Sequence, residues 1–283
     1  MIKYLALVVS FVLQLCAYGQ NNEAMTKAGI LSYTILRANE STQKPKLTEY
    51  LDANFRMTIG STDSVLNESF TYHKPVALQV DHPSFREIFL QLNKGDRVQI
   101  MVSADSFYKY TSRQQLPDYI KKGDSLGFFI KVYNILNDEG LMKKQMKEDE
   151  EKIELDSFYL NDYLNKLSNV KATTRGLNYV VTRNGAGKKP ENGDSVTINY
   201  RGYFFDGRVF DKATQGYSFI LGLGQVIPGL DEGIALMNEG AKFKFIVPYY
   251  LAYGTGGSNL IPPYSSLVFD VELISVKRSS LKK

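Results

Sequence analysis

Few side chains in this 283-residue chain have the means for covalent or metal chemistry. Cys16 is its single cysteine, so disulfides, thiol catalysis and thiolate metal sites have nothing to build on once a leader containing it is removed. His73 and His82, the two histidines, are too few and too poorly accompanied for a metal site. Gly185-Ala-Gly-Lys-Lys189 lacks the spacing and the Ser/Thr of a phosphate-binding loop, and Gly222-Leu-Gly224 is not a dinucleotide fingerprint. Asn39-Glu-Ser41 and Asn67-Glu-Ser69 match a glycosylation sequon, a pattern short enough to arise by chance. No metal and no cofactor are expected.

Composition narrows the class further. The chain is 43% hydrophobic and 23% charged, a globular balance. Its net charge of +4 is spread over scattered lysine pairs and a basic tail, the pattern of a solvated surface. No aromatic-plus-basic motif for nucleic acid is present. At the N-terminus, Lys3 precedes the apolar run 4–15, and the small residues Ala17 and Gly19 precede polar Gln20. Residues 1–19 therefore read as a secretory signal peptide, placing the protein in the periplasm or cell envelope. The run is shorter than the ~20 apolar residues that span a bilayer. The alternative is a lipoprotein anchored through Cys16, the one reading that brings in a membrane. Leu15 argues against it, because that signal normally has a small residue before the cysteine.

The elements that must hold any site are organised around Gln225–Gly240. Pro228 suits a first helical position, and Gly240 lies where a chain leaves a helix. Leu230, Ile234 and Met237 form one apolar stripe between them. A helix of about ten residues is not stable alone, so its stripe must be covered. Strand patterns at 177–183, 195–205, 217–221, 243–247 and 267–273 supply the cover, an α+β arrangement with one helix across an antiparallel sheet. The long connection 248–266 carries Tyr-Gly, Gly-Gly and Pro-Pro, and loops of that length are usually functional.

The unit is duplicated. A shift of 145 residues lays Pro83 on Pro228, Phe85 on Leu230, Gly95 on Gly240 and Tyr108 on Tyr253. Strands are expected at 30–37, 53–59, 76–80, 98–102 and 126–136, with a helix over 83–95 and a loose segment at 20–28. Between the copies, Met142, Met146, Ile153, Leu160, Leu164 and Leu167 make a helical seam. It is either a spacer resting on its own domains or a homodimerisation helix. The domains are thus a signal peptide (1–19), a degenerate first copy (26–137), a helical linker (138–170) and an intact second copy (171–278).

The second copy resembles the FK506-binding-protein (FKBP) type of peptidyl-prolyl cis–trans isomerase. The matching pieces are Val196-Thr-Ile-Asn-Tyr200-Arg-Gly202, Asp206-Gly-Arg-Val-Phe210-Asp211, Phe219-Ile-Leu-Gly222, Gln225-Val-Ile-Pro-Gly-Leu-Asp-Glu-Gly233, Leu251-Ala-Tyr-Gly254, Ile261-Pro-Pro263 and 267–273. The resemblance implies two half-wrapped antiparallel sheets, each with a short helix across it, joined by a long helix. It also implies an apolar pocket lined by Tyr200, Phe210, Asp211, Tyr217, Val226, Ile227, Leu230, Tyr253, Ile261 and Phe269. Within that set Tyr200, Asp211 and Tyr253 would be the catalytic residues and the others would bind substrate. Leu230 stands where many members carry tryptophan, which makes the floor smaller, and Tyr217 replaces a usual phenylalanine.

The implied function is isomerisation of X–Pro bonds in unfolded or nascent exported polypeptides, by desolvation and stabilisation of a twisted amide. A non-catalytic chaperone or scaffold that uses the pocket only for binding is the alternative. Taken singly, each aromatic also fits the inner face of a sheet. In the first copy, Arg56 is aligned with Tyr200, Leu66-Asn67 with Phe210-Asp211, and Asp81-His82 with Val226-Ile227. That copy is therefore expected to be inactive, serving dimerisation or client binding.

Overall fold

The computed structural model describes residues 21–25, 31–37, 42–59, 64–68, 74–82, 84–112 and 115–278. The leader, Cys16, His73 and Pro83 lie outside these residues. Two compact units divide between Met146 and Lys147.

Among the described residues, the first unit is built on β1 (Asn21–Met25), β2 (Leu31–Leu36), β3 (Tyr50–Ile59), β4 (Ser64–Glu68), β5 (Val76–Gln79), β6 (Arg97–Ser103) and β7 (Ser125–Leu136). A short helix, α1 (Arg86–Phe89), precedes β6, and a helical turn over 104–112 follows it. The sheet runs β1-β2-β6-β7-β3-β4, with β5 also beside β3. Strict alternation explains the one-sided core: Leu31, Tyr33 and Ile35 of β2 and Val98, Ile100 and Val102 of β6 point inward, while their neighbours face solvent. Ile88 and Phe89 of α1 close the layer.

Two expectations need correction here, and one strand is new. Residues 21–25 are not loose; they pair antiparallel with β2 as an edge strand, their backbone groups gaining partners that side-chain polarity does not reveal. Strand β4 carries no clear alternation and escapes a pattern search. The first helix is much shorter than 83–95, because past Phe89 the chain closes successive turns, Gln91 N–H to Ile88 C=O and Leu92 N–H to Phe89 C=O.

The long helix α2 (Asp138–Asn165) has its first turns in one unit and the rest in the other. Lys144 anchors the first part to Asp52 at 2.5 Å and to the Pro75 carbonyl. Ile153, Leu160, Leu164 and Leu167 are half-buried, but Met142 and Met146 of the same seam are exposed, as are Leu155, Phe158 and Tyr159. Among the described residues, no helix is long and apolar enough to cross a membrane.

The second unit holds β8 (Lys171–Ala172), β9 (Asn178–Arg183), β10 (Ser195–Tyr203), β11 (Val209–Ile220), β12 (Lys242–Val247) and β13 (Leu267–Lys277), with α3 (Pro228–Ile234) between β11 and β12. Pro228 stands at the start of α3, after an extended Ile227. Leu230, Ile234 and Met237 are all buried, as their spacing predicts, although the regular helix ends at Ile234 and Met237 belongs to the turn beyond it. A Cβ on Gly233 would lie 2.5 Å from the Phe245 ring, so a bare backbone lets the helix sit low on the sheet.

The two sheets share one wiring. The second runs β11-β10-β13-β12-β9-β8, and β4/β5, β3, β7, β6, β2 and β1 occupy the same places in the first. Even the irregularity repeats: β3 steps over Tyr133 between the pairs Asp52–Asn134 and Ala53–Val132, and β10 steps over Ile274 between Thr197–Ser275 and Ile198–Leu273. Gly95 and Gly240 share φ 87° and bond the carbonyls of Val132 and Leu273 respectively. Glu49 and Asp194 each accept a backbone N–H from three residues upstream, and their own carbonyls receive Val80 and Leu221. A pair of sequences this different reaching one register supports an internal repeat.

Candidate active site

The second unit gathers its aromatic residues where β10, β11 and β13 approach the start of α3. Tyr200 lies on β10, opposite Val271 of β13 and Ala213 of β11. Gly202, two residues on, is paired with Asp211 on one side and Phe269 on the other. This register puts Tyr200 and Asp211 on one face, and the phenol donates to Asp211 Oδ2 at 2.6 Å. The other carboxylate oxygen accepts the Lys212 N–H at 2.8 Å, so the group is held at both ends.

Around this pair the rings pack at steep angles, two of the contacts edge to face. Phe210 meets Phe269 at 5.6 Å, and Tyr200 meets Tyr217 at 6.1 Å and Phe269 at 6.4 Å. Phe269, Leu230 and Ile261 are buried and form the base; Val226, Ile227, Tyr200 and Phe210 are partly open; Tyr217 and Tyr253 face solvent on one side. The site is thus a partly open apolar surface, with hydroxyls and one carboxylate at its rim.

Its electrostatics follow from burial next to that carboxylate. Removal from water pushes the Tyr200 phenol far above its usual range, and the hydrogen bond and negative charge of Asp211 push it further. Tyr253 is raised for the same two reasons, burial first and then the Asp211 charge. Both hydroxyls therefore keep their protons as donors throughout the neutral range.

The loops are fixed from within. Asp231, in the first turn of α3, accepts the N–H groups of Gly222 and Gly224, each at 3.1 Å, and Gln225 accepts that of Ile220 at 2.8 Å. These bonds set the approach to Val226 and Ile227. The connection 248–266 opens with a turn at Tyr249–Leu251, and the Gly254 N–H returns to the Tyr249 carbonyl at 2.9 Å. Tyr253 sits at that return.

All ten residues named from the sequence fall in the second unit. Three more belong to the arrangement. Phe204 meets Phe210 edge-on at 5.3 Å, Phe219 flanks Tyr217 at 5.8 Å, and Gly202 leaves room for two rings. Phe204 carries a signal, since it follows Tyr200 and Gly202 at alternate positions.

Residues 186–274 match the family model described as FKBP-type peptidyl-prolyl cis-trans isomerase. These residues belong to that family. The FKBP-type isomerase FkpA of Escherichia coli K12 is 44% identical over 113 residues, which cover 40% of this chain and 42% of that protein. FkpA of Aeromonas hydrophila is 45% identical over 114 residues, again 40% and 42%. The chain thus matches less than half the length of these FKBP relatives. A crystal structure of E. coli FkpA aligns at 34% identity and a TM-score of 0.41, covering 50% of this chain and 74% of the other.

The first unit differs at the corresponding positions. Phe85 takes the place of Leu230, with His82 stacked on it at 5.0 Å and Phe128 against it at 5.3 Å. Burial lowers the His82 pKa. Tyr108 is buried at 9% exposure, against 37% for Tyr253. The register also corrects one alignment: Phe55, paired with Ile130 as Tyr200 is with Val271, is the counterpart of Tyr200, and Arg56 is one residue further on. Asn67 does correspond to Asp211, since each pairs with the residue two beyond that position.

Proposed function

We propose that this protein is a peptidyl-prolyl cis–trans isomerase acting on proline-containing segments of unfolded or nascent exported polypeptides. The observation that carries the reading is the Tyr200–Asp211 hydrogen bond, set among partly open aromatic and aliphatic residues backed by buried Leu230 and Phe269. Rotation about an X–Pro bond meets a barrier of ~18–20 kcal/mol, because the amide gives up its conjugation on the way over. A site that favours the twisted amide over the planar one speeds the reaction about tenfold for each ~1.4 kcal/mol.

The chain's own residues divide the task. Phe210, Tyr217, Val226, Ile227, Leu230, Ile261 and Phe269 hold the prolyl ring and exclude water, removing the hydration that favours the polar planar amide. Tyr253, protonated by virtue of its burial, donates to a flanking carbonyl. Asp211 holds Tyr200, and Tyr200 in turn fixes the wall formed with Tyr217 and Phe269. The reaction forms no covalent bond and moves no proton to or from substrate.

A coupled assay on a short X–Pro peptide tests the reading. Turnover well above the spontaneous rate supports it; peptide binding without acceleration would leave the pocket to a chaperone or scaffold. The first unit is read as an inactive relative, because Phe55 stands where Tyr200 does and Asn67 where Asp211 does, so the phenol–carboxylate pair is missing. The domain limits 1–19, 26–137, 138–170 and 171–278, export to the periplasm or envelope, and pairing of two copies through the exposed stripe of α2 belong to the same proposal. Lipid on Cys16 is its alternative, which mass spectrometry of the mature N-terminus decides.

A further inference from the structure

Ser266 closes the connection 248–266, and its side chain is almost wholly buried, at 3% exposure. It receives a two-pronged contact from α2: its N–H donates to Asp156 Oδ1 at 2.7 Å and its hydroxyl to Asp156 Oδ2 at 2.6 Å. The same hydroxyl oxygen accepts the N–H of Tyr249 at 3.0 Å. One carboxylate thus ties together both ends of the connection. Between those ends, the Tyr249 carbonyl receives the N–H groups of Ala252 and Gly254, and the Gly254 carbonyl receives the Tyr264 N–H at 3.0 Å, fixing the residue on either side of Tyr253. Tyr264, in the left-handed region at φ 59°, is held in turn by α2. Asp149 takes hydrogen bonds from Tyr264 and Lys152, and the Lys152 ammonium lies 5.4 Å from the Tyr264 ring.

We propose that Asp156 is a positioning residue of the isomerase site, holding the loop that presents Tyr253 and Ile261 although it lies outside the matched family segment. The inference rests on the isomerase reading above. An apolar partner would serve poorly: the Ser266 N–H and hydroxyl are buried donors, and a donor left without an acceptor pulls the loop toward water. Asparagine can keep only half of the clasp: its oxygen still accepts the Ser266 N–H, but its amide, a donor, leaves the Ser266 hydroxyl proton without an acceptor.

The test uses the full chain and the coupled X–Pro peptide assay. Asp156→Ala is expected to lower kcat/KM about tenfold, as misplacement of a substrate-holding group does. Asp156→Asn should lose less than Asp156→Ala, because it keeps the contact to the Ser266 N–H. In a Tyr253→Phe background the Asp156→Ala loss should shrink, since both changes act in part through the Tyr253 hydroxyl. Hydrogen exchange gives a readout independent of turnover: the Gly254 and Tyr264 amides should exchange faster in Asp156→Ala. Wild-type kcat/KM in Asp156→Ala, or a loss undiminished beside Tyr253→Phe, overturns the inference. Should the wild-type chain be inactive, the isomerase reading fails, and unchanged amide exchange would overturn the positioning role separately. If Asp156→Ala does not fold, Ser266→Ala takes its place with the same expectations.

Discussion

Gly202 lies directly beneath two of the site's rings: a Cβ there would sit 2.7 Å from Phe210 and 2.9 Å from Phe269. The close packing of those walls depends on a residue that has no side chain. Gly202→Ala must push at least one ring aside, and overpacking of this kind costs about 1–3 kcal/mol. We expect a lower melting temperature together with a loss of at least about tenfold in kcat/KM. An alanine variant with wild-type turnover would show that the ring positions are not critical.

Asp211 is exposed, so its bond to Tyr200 matters to shape more than to stability. Asp211→Ala should change unfolding free energy by no more than about 1.5 kcal/mol. Combined with Tyr253→Phe, it should depress the isomerase rate by about tenfold or more. An unchanged rate in the double variant would remove these residues from the site.

The buried phenols set an alkaline limit. Tyr163 and Tyr203 are pushed up to about 12, each chiefly by burial, and Tyr200 and Tyr253 are raised too. An unfolded tyrosine titrates near ~10. A raised phenol favours the folded state fully below ~10, and that contribution is lost as pH climbs through the folded value. Melting temperature should therefore hold steady up to ~10 and fall between there and ~12, with phenolate absorbance lagging behind that of free tyrosine. Titration of every tyrosine together near ~10 in the folded chain would contradict this.

Restoring the carboxylate alone should not awaken the first unit. With the second site weakened by Asp211→Ala and Tyr253→Phe, adding Asn67→Asp should give no isomerase activity above that of the double variant, because Phe55 supplies no hydroxyl where the second unit has Tyr200. Activity above the double variant would mean that the first unit lacks only the carboxylate.

Much of this architecture was legible because its signals are local. Pro228, Leu230, Ile234 and Gly240 declare a capped amphipathic helix, and the inward residues of β6, β12 and β13 alternate. The register of the first copy was harder to read. A slip of one residue put Arg56 where Phe55 belongs, and in a strand such a slip reverses every side chain. Strand β1 was hidden because its pairing uses backbone groups that Asn21-Asn22-Glu23 do not advertise. The contact between Asp156 and Ser266 joins positions 110 residues apart, and nothing near either one in the chain hints at the other. What the site residues share is their placement on strand ends and loops; what supports that placement is tertiary.

Two sheets with one strand order on a single chain carry a folding hazard, because during synthesis or refolding each edge could recruit the wrong copy. The register offers a safeguard. Met57 occupies in β3 the place that Gly202 holds in β10. If β3 were to add itself to β13, the Met57 side chain would enter space reserved for Phe210 and Phe269. The bare position under those rings would then act as a proofreading element during assembly, admitting the strand that belongs there and rejecting its look-alike.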